Sequence, residues 1–142
     1  MPRPRPGRAA CLTAILGFAV ALAGCSADGT SNGDVAFARD GVPFTFRLPA
    51  DFTAESVDVE NSRGTVVAVR ALDKVDLVAV RRVTATPTGA PERLRVLGKR
   101  VTSRVYAVEG HPGWALECQY TAARRAAVVD ACDRARRTLK PR

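Results

Sequence analysis

From Ala9 to Gly24 the chain runs sixteen residues without a charge (AACLTAILGFAVALAG), and this stretch decides how much of the sequence is left to build a fold. It is short of the roughly 20 residues that cross a bilayer as a helix. The segment before it, MPRPRPGR, is basic and broken by proline. A charged start followed by a short apolar run is the layout of an export signal rather than a retained span. Residues 1–24 are therefore expected to be removed, leaving 118 of the 142 residues. That is enough for one domain with a real core, near the lower end of comfortable stability.

The end of the apolar run carries the specific information. Leu22-Ala23-Gly24-Cys25 matches the lipobox pattern of bacterial lipoproteins. Small residues ahead of the thiol fit the signal peptidase, and the Cys25 thiol takes the diacylglycerol. Residues 25–34 (CSADGTSNGD) are polar, small and glycine-rich, which reads as a flexible tether. No two arginines are adjacent in the first eight residues, which favours general secretion over twin-arginine export. The expected placement is the extracytoplasmic face of the cell membrane, anchored through lipid at Cys25 and not spanning it.

Export also sorts the four cysteines. Cys11 leaves with the signal and Cys25 is lipidated, so Cys118 and Cys132 remain as an even pair in an oxidising compartment. Around Cys118 the apolar residues Trp114, Leu116, Cys118 and Tyr120 alternate with Ala115, Glu117 and Gln119, the pattern of a half-buried strand. Around Cys132 the spacing changes to Val128, Cys132, Ala135 and Leu139, one seam of a helix, with Asp130, Asp133, Arg134 and Arg137 facing away. A helix folding back over its preceding strand brings both thiols into one layer, which predicts a Cys118–Cys132 disulfide. The pair lacks the CxxC spacing of redox-active cysteines.

Strand patterns dominate residues 35–82. Val42 to Leu48 alternates, with Phe44, Phe46 and Leu48 on one face, and Pro49-Ala50-Asp51 stops it. Ser56–Glu60 is a short alternating piece closed by a turn at Asn61-Ser62-Arg63-Gly64. Val66–Leu72 and Val75–Val83 are β-branched runs separated by Asp73-Lys74, which predicts a hairpin. Residues 84–91 (TATPTGAP) read as a loop. Leu94, Leu97 and Val101 fit one helical face, giving a short helix over Pro91–Leu97, although Gly98 weakens it and leaves a strand as the alternative. A strand over Arg100–Val108, a turn at Glu109–Gly113 and the Trp114–Tyr120 strand follow. Thr121 is placed to cap a final helix running to about Leu139. The expected domain, residues 35–142, is α+β: six or seven mostly antiparallel strands packed by a C-terminal helix, with one short helix before it.

The order of lipobox, polar tether, aromatic strand ending in Leu-Pro (FTFRLPADF), hairpins, glycine-rich turn into a Trp strand and closing helix (VVDACDRARRTL) resembles a known family. It is similar to the small cell-surface lipoproteins of high-GC Gram-positive bacteria whose domain resembles the PsbP fold. The resemblance covers roughly residues 35–142 and rests on pattern. It implies an antiparallel sheet flanked by helices and placement at the cell surface, and it carries no functional residue over to this chain.

The chemistry-bearing residues give weaker signals. His111 is the only histidine and sits in a Gly/Pro turn. A triad would need it beside Ser56, Ser62 or Ser103, and no GxSxG elbow is present. Asp73 with Asp76, or Asp130 with Asp133, could pair as catalytic carboxylates, but turn and helix-surface roles account for them better. With the cysteines committed elsewhere, no metal-ligand spacing or cofactor motif remains. Once Arg3, Arg5 and Arg8 are removed, 22 basic residues become 19 against 14 acidic, leaving +5. Arg81, Arg82, Arg93, Arg95, Lys99, Arg100 and Arg104 crowd the middle of the chain without interleaved stacking aromatics, and export argues against nucleic acid. A weak contact with anionic lipid or wall polymer fits them better. The expected function is a non-enzymatic binding or accessory module with an unidentified envelope partner. The alternative is a small-molecule or lipid carrier, with a pocket between sheet and helix lined by Phe44, Phe46 and Trp114.

Overall fold

A computed structural model describes residues 33–55 and 64–142. The export signal, the lipobox, Cys25 and the expected Ser56–Glu60 strand all lie outside these residues. The described chain is α+β, with eight strands in two antiparallel sheets and one α-helix. Strands β1 (Asp34–Phe37), β2 (Phe44–Pro49) and β8 (Lys140–Pro141) form a small sheet in the order β1-β2-β8. Strands β3 (Thr65–Ala71), β4 (Leu77–Arg82), β5 (Glu92–Val96), β6 (Lys99–Ala107) and β7 (Trp114–Tyr120) form the larger sheet, ordered β3-β4-β7-β6-β5. Helix α1 (Arg125–Thr138) follows a 3-10 turn at Ala122–Arg124 and packs on β7, β4 and β2.

The main core lies where these three surfaces meet. Alternation in β2 turns Phe44, Phe46 and Leu48 inward, and Arg47 outward. The larger sheet contributes Val78, Val80, Leu116 and Cys118 from one face, and α1 contributes Val128, Ala131, Cys132 and Ala135 from its apolar seam. Small residues on that seam let the helix approach the sheet closely. Each apolar side chain fully removed from water contributes on the order of 1.5–3 kcal/mol.

Three expectations need correcting. Pro91–Leu97 is not a short helix: Glu92–Val96 is strand β5, paired with β6 from Glu92↔Ser103 to Val96↔Lys99. Leu97 (φ 49°) and Gly98 (φ 74°) form the two-residue connection, both in the left-handed region of a type I′ turn. Leu94, Val96 and Val101 pack on one face with Val75, so the period here is 2 and not 3.6. Strand β4 starts at Leu77 and not at Val75, because the Asp73 carboxylate accepts the Val75 and Asp76 N–H groups at 2.8 and 2.9 Å and holds them in the turn. Strand β7 keeps its expected boundaries, but it is buried on both faces, Ala115, Glu117 and Gln119 included.

Candidate functional site

Cys118 and Cys132 form the expected disulfide, with their Cα atoms 6.1 Å apart. Register explains the pairing. Cys118 lies opposite Val78 on the face that α1 covers, and Cys132 lies on the buried seam of the helix.

The three aromatics expected to line a carrier's pocket are packed into the core. Phe44 and Phe46 are buried and Trp114 is 9% exposed; the Phe44 and Trp114 rings meet edge-on at 5.8 Å, and Phe46 stacks on Phe37 at 4.5 Å. Aromatic contacts at these separations are core packing. His111 rests against Phe44, with ring centroids 5.3 Å apart, while Ser103 sits on the opposite face of the sheet and donates to Glu117 Oε1 at 2.7 Å. The structure does not bring a Ser–His pair together from these residues. Asp130 accepts a hydrogen bond from Arg134, and Asp133 lies 3.9 Å from Arg136, so both carboxylates serve the surface of the helix.

The crowd of basic residues separates by strand register. Arg81 is fully buried and ion-paired with Glu117. Arg82 stacks over the Trp114 ring at 4.6 Å. Arg93 and Thr102, Arg95 and Arg100, and Arg104 and Cys118 are cross-strand partners, which places Arg93, Arg95, Arg100 and Arg104 on the helix side of the sheet. Because β5 and β6 form the outer edge beyond the helix, that face stays open. It makes a groove of about 720 Å³ with the start of the helix, lined by these four arginines together with Arg125, Tyr120 and Ala122.

Electrostatically the groove is one-signed. No carboxylate appears in its lining, and no acidic residue stands in the first turn of α1. Among the described residues Arg93, Arg95, Arg100 and Arg125 form no ion pair, and Arg95 faces Arg100 directly across the strands. Like charges in that position disfavour the sheet. The Tyr106 and Tyr120 phenols beside the Arg104 guanidinium raise its already high pKa, and Arg104 donates to the Gly89 carbonyl at 3.4 Å. The start of the helix adds partial positive charge. The chemistry that fits is recognition of phosphate or another anion.

Sequence alternation missed a second polar cluster. Asp76 is buried, and its carboxylate accepts the N–H of Thr121 at 2.6 Å and the Thr121 hydroxyl at 3.0 Å. Thr121 is thus bound to the β3–β4 turn and makes no side-chain cap to the helix. Burial pushes the Asp76 carboxyl above its ordinary 3.8; the Thr121 bonds oppose this, and a hydrogen bond to Asp73 adds to it. Burial also acts upward on Asp73, but the Val75 and Asp76 N–H groups, the Asp76 side chain and Lys99 outweigh it and hold Asp73 below 3.8.

The signs are opposite. An acid with a raised folded pKa destabilises the fold once ionised, so the Asp76 contribution improves as pH falls through that raised value toward 3.8. Asp73 contributes stability above 3.8 that is lost as pH falls through its lowered value. Asp76→Asn keeps an acceptor for Thr121, so it is expected to flatten the mildly acidic rise in thermal midpoint and leave the steeper acid loss in place. Melting curves recorded across pH check this, and an unchanged acidic rise would remove Asp76 as its source.

No known family model, no curated protein and no solved structure matches this chain.

Proposed function

We propose that this chain is a lipid-anchored extracytoplasmic module of a bacterial cell envelope, which binds an anionic envelope component and has no enzymatic role. One observation carries the binding reading: a groove with five arginines and no carboxylate in its lining. Four of those arginines face one side only because of strand pairing, so the concentration of charge belongs to the fold and not to composition alone. The anchor rests on Leu22-Ala23-Gly24-Cys25 at the end of the uncharged run. The PsbP-like resemblance over residues 35–142 belongs to the same proposal and favours cell-surface placement.

Mass spectrometry of the protein extracted from its own membranes tests the anchor. The expected mature chain starts at Cys25, carries a diacylglyceryl group, and gains two hydrogens when the disulfide is reduced. An unlipidated full-length chain would overturn the placement. For the groove, Arg93→Gln with Arg100→Gln is expected to weaken retention on an immobilised phosphate-bearing polyanion. Unchanged retention would remove the groove as the binding site, and catalytic turnover by the purified protein would overturn the non-enzymatic reading.

A further inference from the structure

We infer that the β5–β6 hairpin is a membrane-docking element: Leu97 enters the boundary between head groups and acyl chains, and the arginines of the groove hold the phosphates of anionic phospholipids. This rests on the lipid-anchor reading above and names the anionic component as the bilayer itself.

The argument starts at the turn. A two-residue connection with positive φ at both positions suits Asn-Gly, Asp-Gly or Gly-Gly, yet Leu97 occupies the first position at φ 49°. An L-residue with a γ-branched side chain is disfavoured there. Leu97 also gains little from packing, because it is 54% exposed. Among the described residues only Val35 and Leu97 are large hydrophobics left in solvent. A side chain that suits neither its backbone nor its surroundings is explained by a partner that covers it.

Its neighbours describe that partner. Arg95, Lys99 and Arg100 flank the tip, and Arg93, Arg104 and Arg125 continue the charge into the groove. A projecting leucine ringed by guanidinium and ammonium groups matches a bilayer interface, where the apolar tip enters and the long basic side chains reach the head groups. A phosphodiester polymer in water would satisfy the arginines but not the leucine. The bilayer is therefore the better fit.

Orientation agrees. Tyr120, the last residue of β7, lies opposite Thr102, so the hairpin tip extends past the end of its neighbour strand, at the end where the helix begins. Strand β1 enters from that same side. Asp34 pairs with Arg134, whereas Phe37 lies opposite Phe46, next to Arg47, whose N–H binds Thr138 at the end of the helix. Moving from Phe37 back to Asp34 thus moves toward the start of the helix. Lipid anchor and hairpin tip can meet one membrane without turning the domain over.

The lysines supply the test. Lys74, Lys99 and Lys140 are all exposed. Lys99 follows the turn, while Lys140 lies beyond the far end of α1, about 20 Å away along the helix axis. The lipidated full chain is placed in phosphatidylcholine vesicles with or without about one third phosphatidylglycerol, and a soluble amine-acylating reagent is followed by mass spectrometry. Lys99 labelling is expected to fall on the order of tenfold in the anionic vesicles, with Lys140 unchanged, and to recover at about 1 M salt.

Leu97→Asn suits the turn better than leucine, so it is expected to melt no lower than wild type while losing most of the Lys99 protection. Arg95→Gln with Arg100→Gln is expected to remove the difference between the two vesicle types. Equal Lys99 labelling in both vesicles, or full protection in Leu97→Asn, overturns the proposal. Equal protection of the detergent-solubilised protein by soluble polyglycerol phosphate also overturns it, in favour of a wall polymer. A chain recovered without lipid overturns the anchor reading as well, whereas failure on a chain of lipidated mass overturns this inference alone.

Discussion

Replacing Glu117 with alanine is expected to destabilise the fold by about 3–5 kcal/mol, the cost of removing one member of a buried ion pair. Arg81 and Glu117 have side chains 0% and 1% exposed, and Glu117 also accepts the Ser103 hydroxyl at 2.7 Å. Arg81 additionally donates to the Gly64 carbonyl at 2.9 Å, so the guanidinium stays in place when its carboxylate is gone. Its charge then sits in a medium that solvates it poorly. Against a total stability of about 5–15 kcal/mol for a domain of this size, such a loss unfolds a sizeable fraction of the molecules on mild heating. The double variant Arg81→Met with Glu117→Leu tests the cause. Removing both charges together is expected to recover most of the loss, and a double-mutant cycle on urea unfolding gives the coupling directly. A single-variant cost below about 1 kcal/mol would mean that the pair is wet and that the polar centre of the sheet is not sealed.

That same cluster marks where sequence reasoning stops. Alternation in Trp114–Tyr120 separates Leu116 and Cys118 from Glu117 and Gln119, and both faces exist as read. What alternation assigns to water is the polar face, because a period of two distinguishes faces without saying whether each is buried. Glu117 is buried because β7 is a central strand, and Arg81 meets it only through the β4–β7 register, across 36 residues of sequence. The arginine groove was legible as a run of basic residues but not as a site. Nothing in residues 81–104 tells a reader that Arg81 points to one face of the sheet and Arg104 to the other; pairing decides that. The β5–β6 hairpin was missed for a related reason. Its turn reads Leu-Gly, outside the usual Asn-Gly vocabulary, and Leu94 and Leu97 happen to fall at helical spacing. The aromatic strand at Phe44, the final helix and the disulfide were legible because periodicity and burial agree there.

Removing the Cys118–Cys132 bridge has the other large expected effect, about 3 kcal/mol for a loop of this length in the chain-entropy picture. Both residues are buried against Val78, Leu116 and Val128, so alanine at the two positions also leaves small voids. The two causes separate in urea. If the loss lies in a freer unfolded chain, Cys118→Ala with Cys132→Ala exposes more surface on unfolding and the m-value rises; if it lies in the voids, the midpoint falls at constant m. Reducing the wild-type protein creates no void and should reproduce only the first part. A drop of less than about 1 kcal/mol by either route would mean that packing alone holds α1 on the sheet. The bridge also bears on the groove, because the helix it fastens supplies Arg125 and the 3-10 turn that leads into it supplies Ala122. A reduced domain is therefore expected to hold anionic lipid less well than the oxidised one at a temperature where both remain folded. Equal Lys99 protection in the two forms would show that the β5–β6 face binds without help from the helix.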